Sequence, residues 1–207
     1  MSKLNDKIIL SKWSSAGNTF LILNGSSVLK KNRKKFTQKY CDSIRGLKAD
    51  GCLFLDLMKI KTFYIWDFYN SDGSTAEMCG NAARAAHQYC RTFLKDKERT
   101  LQFKTLAGIV KTTNIENKIS VEMPEVKILK NDKKYLLVNT GVPHIVMQVK
   151  ELSKAQMDLK KIKKLRQLFY GGQKGFNVTL LEMNKGSKIK AVTFERGVES
   201  FTPSCGT

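Results

Sequence analysis

The sequence predicts an α+β fold built from two similar halves, and three observations lead to it. Strand-like runs outnumber helical ones. One series of features occurs twice in the same order: a small-residue turn, a basic helix, two strands and a Cys-Gly pair. From Asn18 to Cys79 is 61 residues and from Val142 to Cys205 is 63. Finally, 207 residues fit two half-size domains better than one.

Residues 8–23 read as two extended stretches around the turn Ser14-Ser15-Ala16-Gly17-Asn18. Residues 28–44 read as a basic amphipathic helix and 46–51 as a loop. Strands are expected at 52–58 and 63–69, the second running into the turn signal Asn70-Ser71-Asp72-Gly73-Ser74. Cys79-Gly80-Asn81 opens a helix in which Ala82, Ala83, Ala86, Tyr89, Cys90 and Phe93 recur at helical spacing. Strands follow at 100–106, 109–114 and 118–123. Pro124 marks the expected boundary between a first domain, 1–124, and a second, 125–207. The second half repeats the order: strands at 135–138 and 145–149, one basic helix near 153–169, then strands at 176–182 and 188–195.

Lys and Arg number 37 against 18 Asp and Glu, a net charge of +19. Such an excess raises the question of nucleic acid, because basic side chains drive phosphate binding. It is not localised, however: residues 1–124 carry 21 basic and 11 acidic groups, and 125–207 carry 16 and 7. The densest clusters are Lys30, Lys31, Arg33, Lys34, Lys35 and Lys160, Lys161, Lys163, Lys164, Arg166. Opposite the second cluster, Leu159, Ile162 and Leu165 share a helix side. Both clusters therefore read as solvated helix faces, and no zinc-finger spacing, RNP-type strand or Gly-rich phosphate loop favours a nucleic-acid partner.

Other classes fall away on composition. Hydrophobic residues at 42% argue against a disordered chain. No apolar run approaches the ~20 residues that span a bilayer, and residues 1–10 contain no apolar leader. Five scattered cysteines do not make a secreted disulfide scaffold. A cytoplasmic protein with free thiols is expected.

Two of those thiols stand out. With one Cys-Gly pair in each half, Cys79 and Cys205 are expected to face a cleft between the domains, a common small-molecule site. Cys79 also begins a helix, where unpaired N–H groups and the helix dipole are expected to lower a thiol pKa and attract a carboxylate. Two acid/base groups on opposite faces of one carbon suit proton removal from one side and return from the other. That chemistry is racemisation or epimerisation with no cofactor. Cys41, Cys52 and Cys90 lie in apolar patterns and read as small buried hydrophobes. There is no CxxC, so a disulfide or metal site is disfavoured, and His87 reads as an ordinary surface or packed histidine.

The residues quoted resemble the diaminopimelate epimerase family over 8–207. Lys12-Trp13-Ser14-Ser15-Ala16-Gly17-Asn18-Thr19-Phe20 is similar to its N-terminal G-N-D-F segment, and Ala49-Asp50-Gly51 to its A-D-G loop. Asn70-Ser71-Asp72-Gly73-Ser74 through Cys79-Gly80-Asn81-Ala82-Ala83-Arg84 resembles the specific N-x-D-G-S…C-G-N-G-x-R signature. Thr140-Gly141-Val142-Pro143-His144 resembles the G-N/V-P-H turn, and Glu195-Arg196-Gly197 with Cys205-Gly206-Thr207 the E-R-G…C-G-T signature.

The resemblance implies two pseudo-symmetric domains, each a mixed β-sheet wrapped around a central helix. It implies epimerisation of LL- to meso-diaminopimelate, a step toward lysine and peptidoglycan precursors, without cofactor or metal. Cys79 and Cys205 would be the acid/base pair, with Glu195 and His144 near the thiols assisting proton transfer. Asn18, Asn70, Asn177 and Arg196 would hold the carboxylates and amino group of the distal centre. Backbone N–H groups of Gly80, Asn81, Gly206 and Thr207 would hold the α-carboxylate. The partner is a small-molecule amino acid, with no membrane, and a homodimer is left open.

There are departures. Val142 stands where the family often has Asn, Thr19 where it has Asp, and Ala82 where it has Gly. The repeat also predicts a helix and strands after Cys205 like those between Cys79 and Pro124, and only Gly206 and Thr207 follow. The second domain is therefore expected to be incomplete, lacking its final helix and strands, with low stability and little activity. The competing readings are an inactive remnant of the family, another cofactor-independent amino-acid racemase, and a basic nucleic-acid-binding protein.

Overall fold

The computed structural model describes residues 8–58, 62–123, 125–183, 188–202 and 205. Two large sheets use successive stretches of chain, as an α+β fold requires. The first is seven-stranded, in chain order: β1 (Ser11–Ser15), β2 (Asn18–Asn24), β3 (Gly51–Leu57), β4 (Phe63–Asn70), β5 (Thr100–Thr105), β6 (Gly108–Ile115) and β7 (Lys118–Glu122). Helix α1 (Lys30–Cys41) connects β2 to β3, and α2 (Gly80–Thr92) connects β4 to β5.

Helices on both faces explain the apolar run in β2. Phe20 and Ile22 pack with Ala82, Ala83, Ala86 and Tyr89 of α2. Their neighbours Leu21 and Leu23 pack on the other face with Val28, Phe36 and Cys41. A strand covered on both sides needs a continuous apolar run rather than alternation. Small alanines let α2 approach the sheet closely while favouring the helix. Cys41, Cys52 and Cys90 are buried, as expected of small hydrophobes.

The second sheet is six-stranded, built from β8 (Lys127–Asn131), β9 (Leu136–Asn139), β10 (Pro143–Val149), β13 (Asn177–Met183), β14 (Ile189–Glu195) and β15 (Ser200–Thr202). Between β10 and β13 lie α3 (Leu152–Met157), α4 (Leu159–Arg166) and a small hairpin of β11 (Phe169–Tyr170) and β12 (Gln173–Lys174). The pairing repeats that of the first sheet. The β1/β2 hairpin, parallel β2/β3 pair and antiparallel β3/β4 pair correspond to β9/β10, β10/β13 and β13/β14. Leu152 of α3 and Ile162 of α4 pack on Val178, Leu180 and Phe194. Among the described residues, α3 and α4 are this half's helices.

Some expectations need correction. The single helix expected near 153–169 is two, broken at Asp158, whose carboxylate accepts the Lys161 N–H at 3.1 Å and caps α4. Strands β8 and β15 were not anticipated, being short, polar or at a sheet edge. Pro124, the expected boundary, lies outside the described residues; β7 ends at Glu122 and β8 begins at Lys127. Among the described residues no helix is long and apolar enough to cross a membrane.

Candidate active site

Turns at matching ends of the two sheets place the site. The β1/β2 hairpin turns on Ala16 and Gly17, both at positive φ (49° and 89°), as a tight two-residue turn requires. Asn18 therefore starts β2 at the rim. Asn70 ends β4, where Gly73 N–H donates to its carbonyl and its own N–H donates to the Ser74 carbonyl, each at 2.8 Å. Cys79 follows in extended conformation, directly before the first turn of α2. In the second half, the parallel β10/β13 register sets His144 against Asn177, and Glu195 ends β14.

These ends converge on a small cavity of about 60 Å³ between the sheets. Its walls include Asn18, Asn70, Cys79 and Asn81 from the first half and Asn177, Glu195, Arg196 and Cys205 from the second. Nearly all the polar side chains expected in the site are thus brought together from positions up to 187 residues apart. Gly80 is buried at the start of α2. Gly206 and Thr207, expected to offer backbone N–H groups, lie outside the described residues.

Short hydrogen bonds hold the amides. Asn81 Nδ2 donates to Asn18 Oδ1 at 2.7 Å, while Arg84 donates to Asn81 Oδ1. The Arg196 backbone N–H donates to Asn177 Oδ1 at 2.8 Å, and Asn177 Nδ2 donates to His144 Nε2 at 3.2 Å. His144 Nδ1 faces Thr179 Oγ1 at 2.9 Å. His144 is buried and is not among the cavity-lining residues; it is tied to the lining through Asn177. Burial, reinforced by Arg196, pushes its pKa down to about 4, so it is neutral at pH 7.

The thiol of Cys79 corrects a second expectation. Burial pushes its pKa up to about 12. The N–H groups of Ala82 and Asn81 pull it down, as a helix start should, and negative charge at Glu195 and Cys205 pushes it up again. Desolvation outweighs the helix terminus, so Cys79 stands as a neutral thiol at pH 7. The Glu195 carboxyl is also raised, chiefly by burial, against hydrogen bonds from Thr202 and from the Cys205 thiol. A carboxylate of raised pKa touching a thiol is suited to accept its proton.

Two charged lining residues, Asp50 and Glu77, were not expected in the site, and Val142, noted above as a departure from the family, is in its wall. Asp50 accepts the Thr19 backbone N–H at 2.7 Å and the Thr19 hydroxyl at 3.2 Å, fixing the rim where Thr19 departs from the expected Asp. Glu77 Oε2 receives Arg196 Nη2 at 2.7 Å across the cleft. No periodic signal marks Glu77, because the stretch between β4 and α2 is not a strand and bends at Glu77. Among the described residues no three His, Cys, Asp or Glu side chains gather as a metal site.

The diaminopimelate epimerase family pattern matches residues 11–129. A protein from a Nitratiruptor species named diaminopimelate epimerase is 36% identical over 204 residues, covering 96% of this chain and 77% of that one. One of the same name from Campylobacter jejuni (subsp. jejuni serotype O:2) is 34% identical over 201 residues, covering 95% and 76%. Among solved structures, a hydroxyproline epimerase from Agrobacterium vitis aligns with a TM-score of 0.73 at 12% identity, over 97% of this chain and 72% of that one. A phenazine biosynthesis protein of the PhzF family from Bacillus anthracis gives 0.68 at 13%, over 97% and 77%. At these identities the two structures establish a shared fold.

Proposed function

Because this chain belongs to the diaminopimelate epimerase family and is an epimerase of that family, we propose that it interconverts LL- and meso-diaminopimelate by moving a proton between two cysteines. The observation that carries this reading is that Cys79 and Cys205 line one cavity with Glu195 beside them. In one direction Glu195 takes the Cys205 proton, and the resulting thiolate removes the α-proton. The neutral Cys79 thiol then donates its proton to the opposite face of the carbon. The reverse direction exchanges the two roles.

An α-proton of an amino acid is a very weak acid, so the developing carbanion requires fixed dipoles and a site closed to water. The N–H groups at the start of α2 supply such dipoles on the Cys79 side. Asn18, Asn70, Asn177 and Arg196 hold the far end of the substrate, with Arg196 offering its planar fork to a carboxylate. No cofactor enters this scheme. The protein would act in the cytoplasm on a small amino acid, without nucleic acid.

The test is α-proton exchange. LL-Diaminopimelate incubated with the protein in deuterated water is expected to gain α-deuterium and to epimerise, followed by NMR. Cys79→Ala, checked for native circular dichroism, is expected to lose at least a hundredfold, the lower range for a removed acid/base group. Full exchange by the folded variant, or none by the native protein, would overturn the reading.

A further inference from the structure

The scheme above uses Arg196 as a carboxylate fork but gives no part to Glu77, its ion-pair partner. The two come from opposite halves, both line the cavity, and their side chains remain 38% and 24% exposed at its mouth. Arg196 is positioned by its backbone N–H on Asn177 Oδ1. Glu77 is positioned by its carbonyl, which accepts the Ala107 N–H at 3.2 Å. Both charged groups face the same cavity, so a ligand that carries charge at its far end meets them together.

An α-amino-acid head group carries a carboxylate and an ammonium on one carbon. A guanidinium and a carboxylate held side by side present the complementary charges at the complementary spacing. Resting on the function proposed above, we propose that Glu77 and Arg196 together read the distal head group of the substrate as a zwitterion. The ligand carboxylate replaces Glu77 on the Arg196 fork, and the ligand ammonium takes the freed Glu77 carboxylate. The exchange leaves no charge unpaired, which matters where burial penalises a lone ion. Glu77 is then the residue that distinguishes a substrate with a distal amino group from one with a distal carboxylate alone.

Two ligands separate this from the simpler roles. Diaminopimelate has two amino groups; 2-aminopimelate keeps both carboxylates and lacks one amino group. Dissociation constants are measured by calorimetry for the native chain, Glu77→Gln and Glu77→Asp. The native protein is expected to prefer diaminopimelate by about tenfold or more, the scale of one hydrogen bond to a charged group. Glu77→Gln is expected to lose that preference, and Glu77→Asp to keep most of it. Equal tightening of both ligands in Glu77→Gln would mean that Glu77 only competes for Arg196, and equal weakening that it only straps the halves together. Either result overturns the proposal, as does a preference unchanged in Glu77→Gln or a failure of either ligand to bind the native chain. Deuterium exchange is scored separately: selective binding without exchange would sink the epimerase reading and leave the Glu77 assignment standing.

Discussion

Val142 puts a branched apolar side chain on a wall otherwise rich in amides and charges. It is 7% exposed, so an amide in its place would point at the ligand rather than at solvent. Val142→Asn is expected to tighten diaminopimelate binding several-fold, the value of one added neutral hydrogen bond at about 1 kcal/mol. Unchanged or weaker binding in calorimetry would refute this. The same scale shows what sequence reading could and could not do with a thiol. That Cys79 and Cys205 share a site was legible from the repeat, because a duplicated element order brings equivalent turns to one cleft. The direction of the Cys79 shift was not, because it depends on how much water the folded walls exclude.

Among the elements, α1 shows how a charge run can mislead. Lys30, Lys31, Lys34 and Lys35 are exposed, as a solvated face predicts, but Arg33 in their midst is buried. Its guanidinium donates to the Gly25 carbonyl at 2.7 Å and the Val28 carbonyl at 3.2 Å, and pairs with Asp67 at 3.0 Å and Asp56 at 3.1 Å. It also lies 5.0 Å from the centre of the Phe54 ring. One residue thereby ties α1 to the strands beneath it. Arg33→Met keeps much of the packing and leaves two carboxylates and two carbonyls without their cation. It is expected to cost about 3 kcal/mol, the low end for breaking a buried pair because the carboxylates are partly solvated. Urea unfolding measures this, and a loss under about 0.5 kcal/mol would show the pair to be idle. Neither Arg33 nor the break at Asp158 was visible in the periodicity, since each depends on contacts outside its own helix.

For the whole molecule, each half buries one histidine: His87 against Thr112 Oγ1 at 2.7 Å, and His144 against Asn177 and Thr179. Burial pushes both down from 6.5 to about 4. Between those values the unfolded chain takes up two protons that the folded chain refuses. The histidine contribution should therefore be constant above about pH 7, fall as pH drops from about 6.5 to about 4, and level off below. The loss is on the order of 3 kcal/mol per histidine. Glu195 opposes it, because a carboxyl raised by burial favours the folded state once protonated. Urea midpoints from pH 7 to 4 measure the slope, and His87→Gln should remove about half of it; an undiminished slope would exclude His87 as a source.

The two-fold element order, the Cys-Gly pairs and the polar motifs are written in the linear chain, because turn residues, helix formers and apolar runs act locally. From them the α+β fold and most of the polar cavity lining were readable. Which groups touch across the cleft was decided only by tertiary structure. Sheet register set His144 beside Asn177, burial reversed the expected shift of Cys79, and the meeting of the halves set Glu77 on Arg196. The physical reason is that charge, desolvation and hydrogen bonding act through space. Residues 119 positions apart in sequence here lie within a single hydrogen bond.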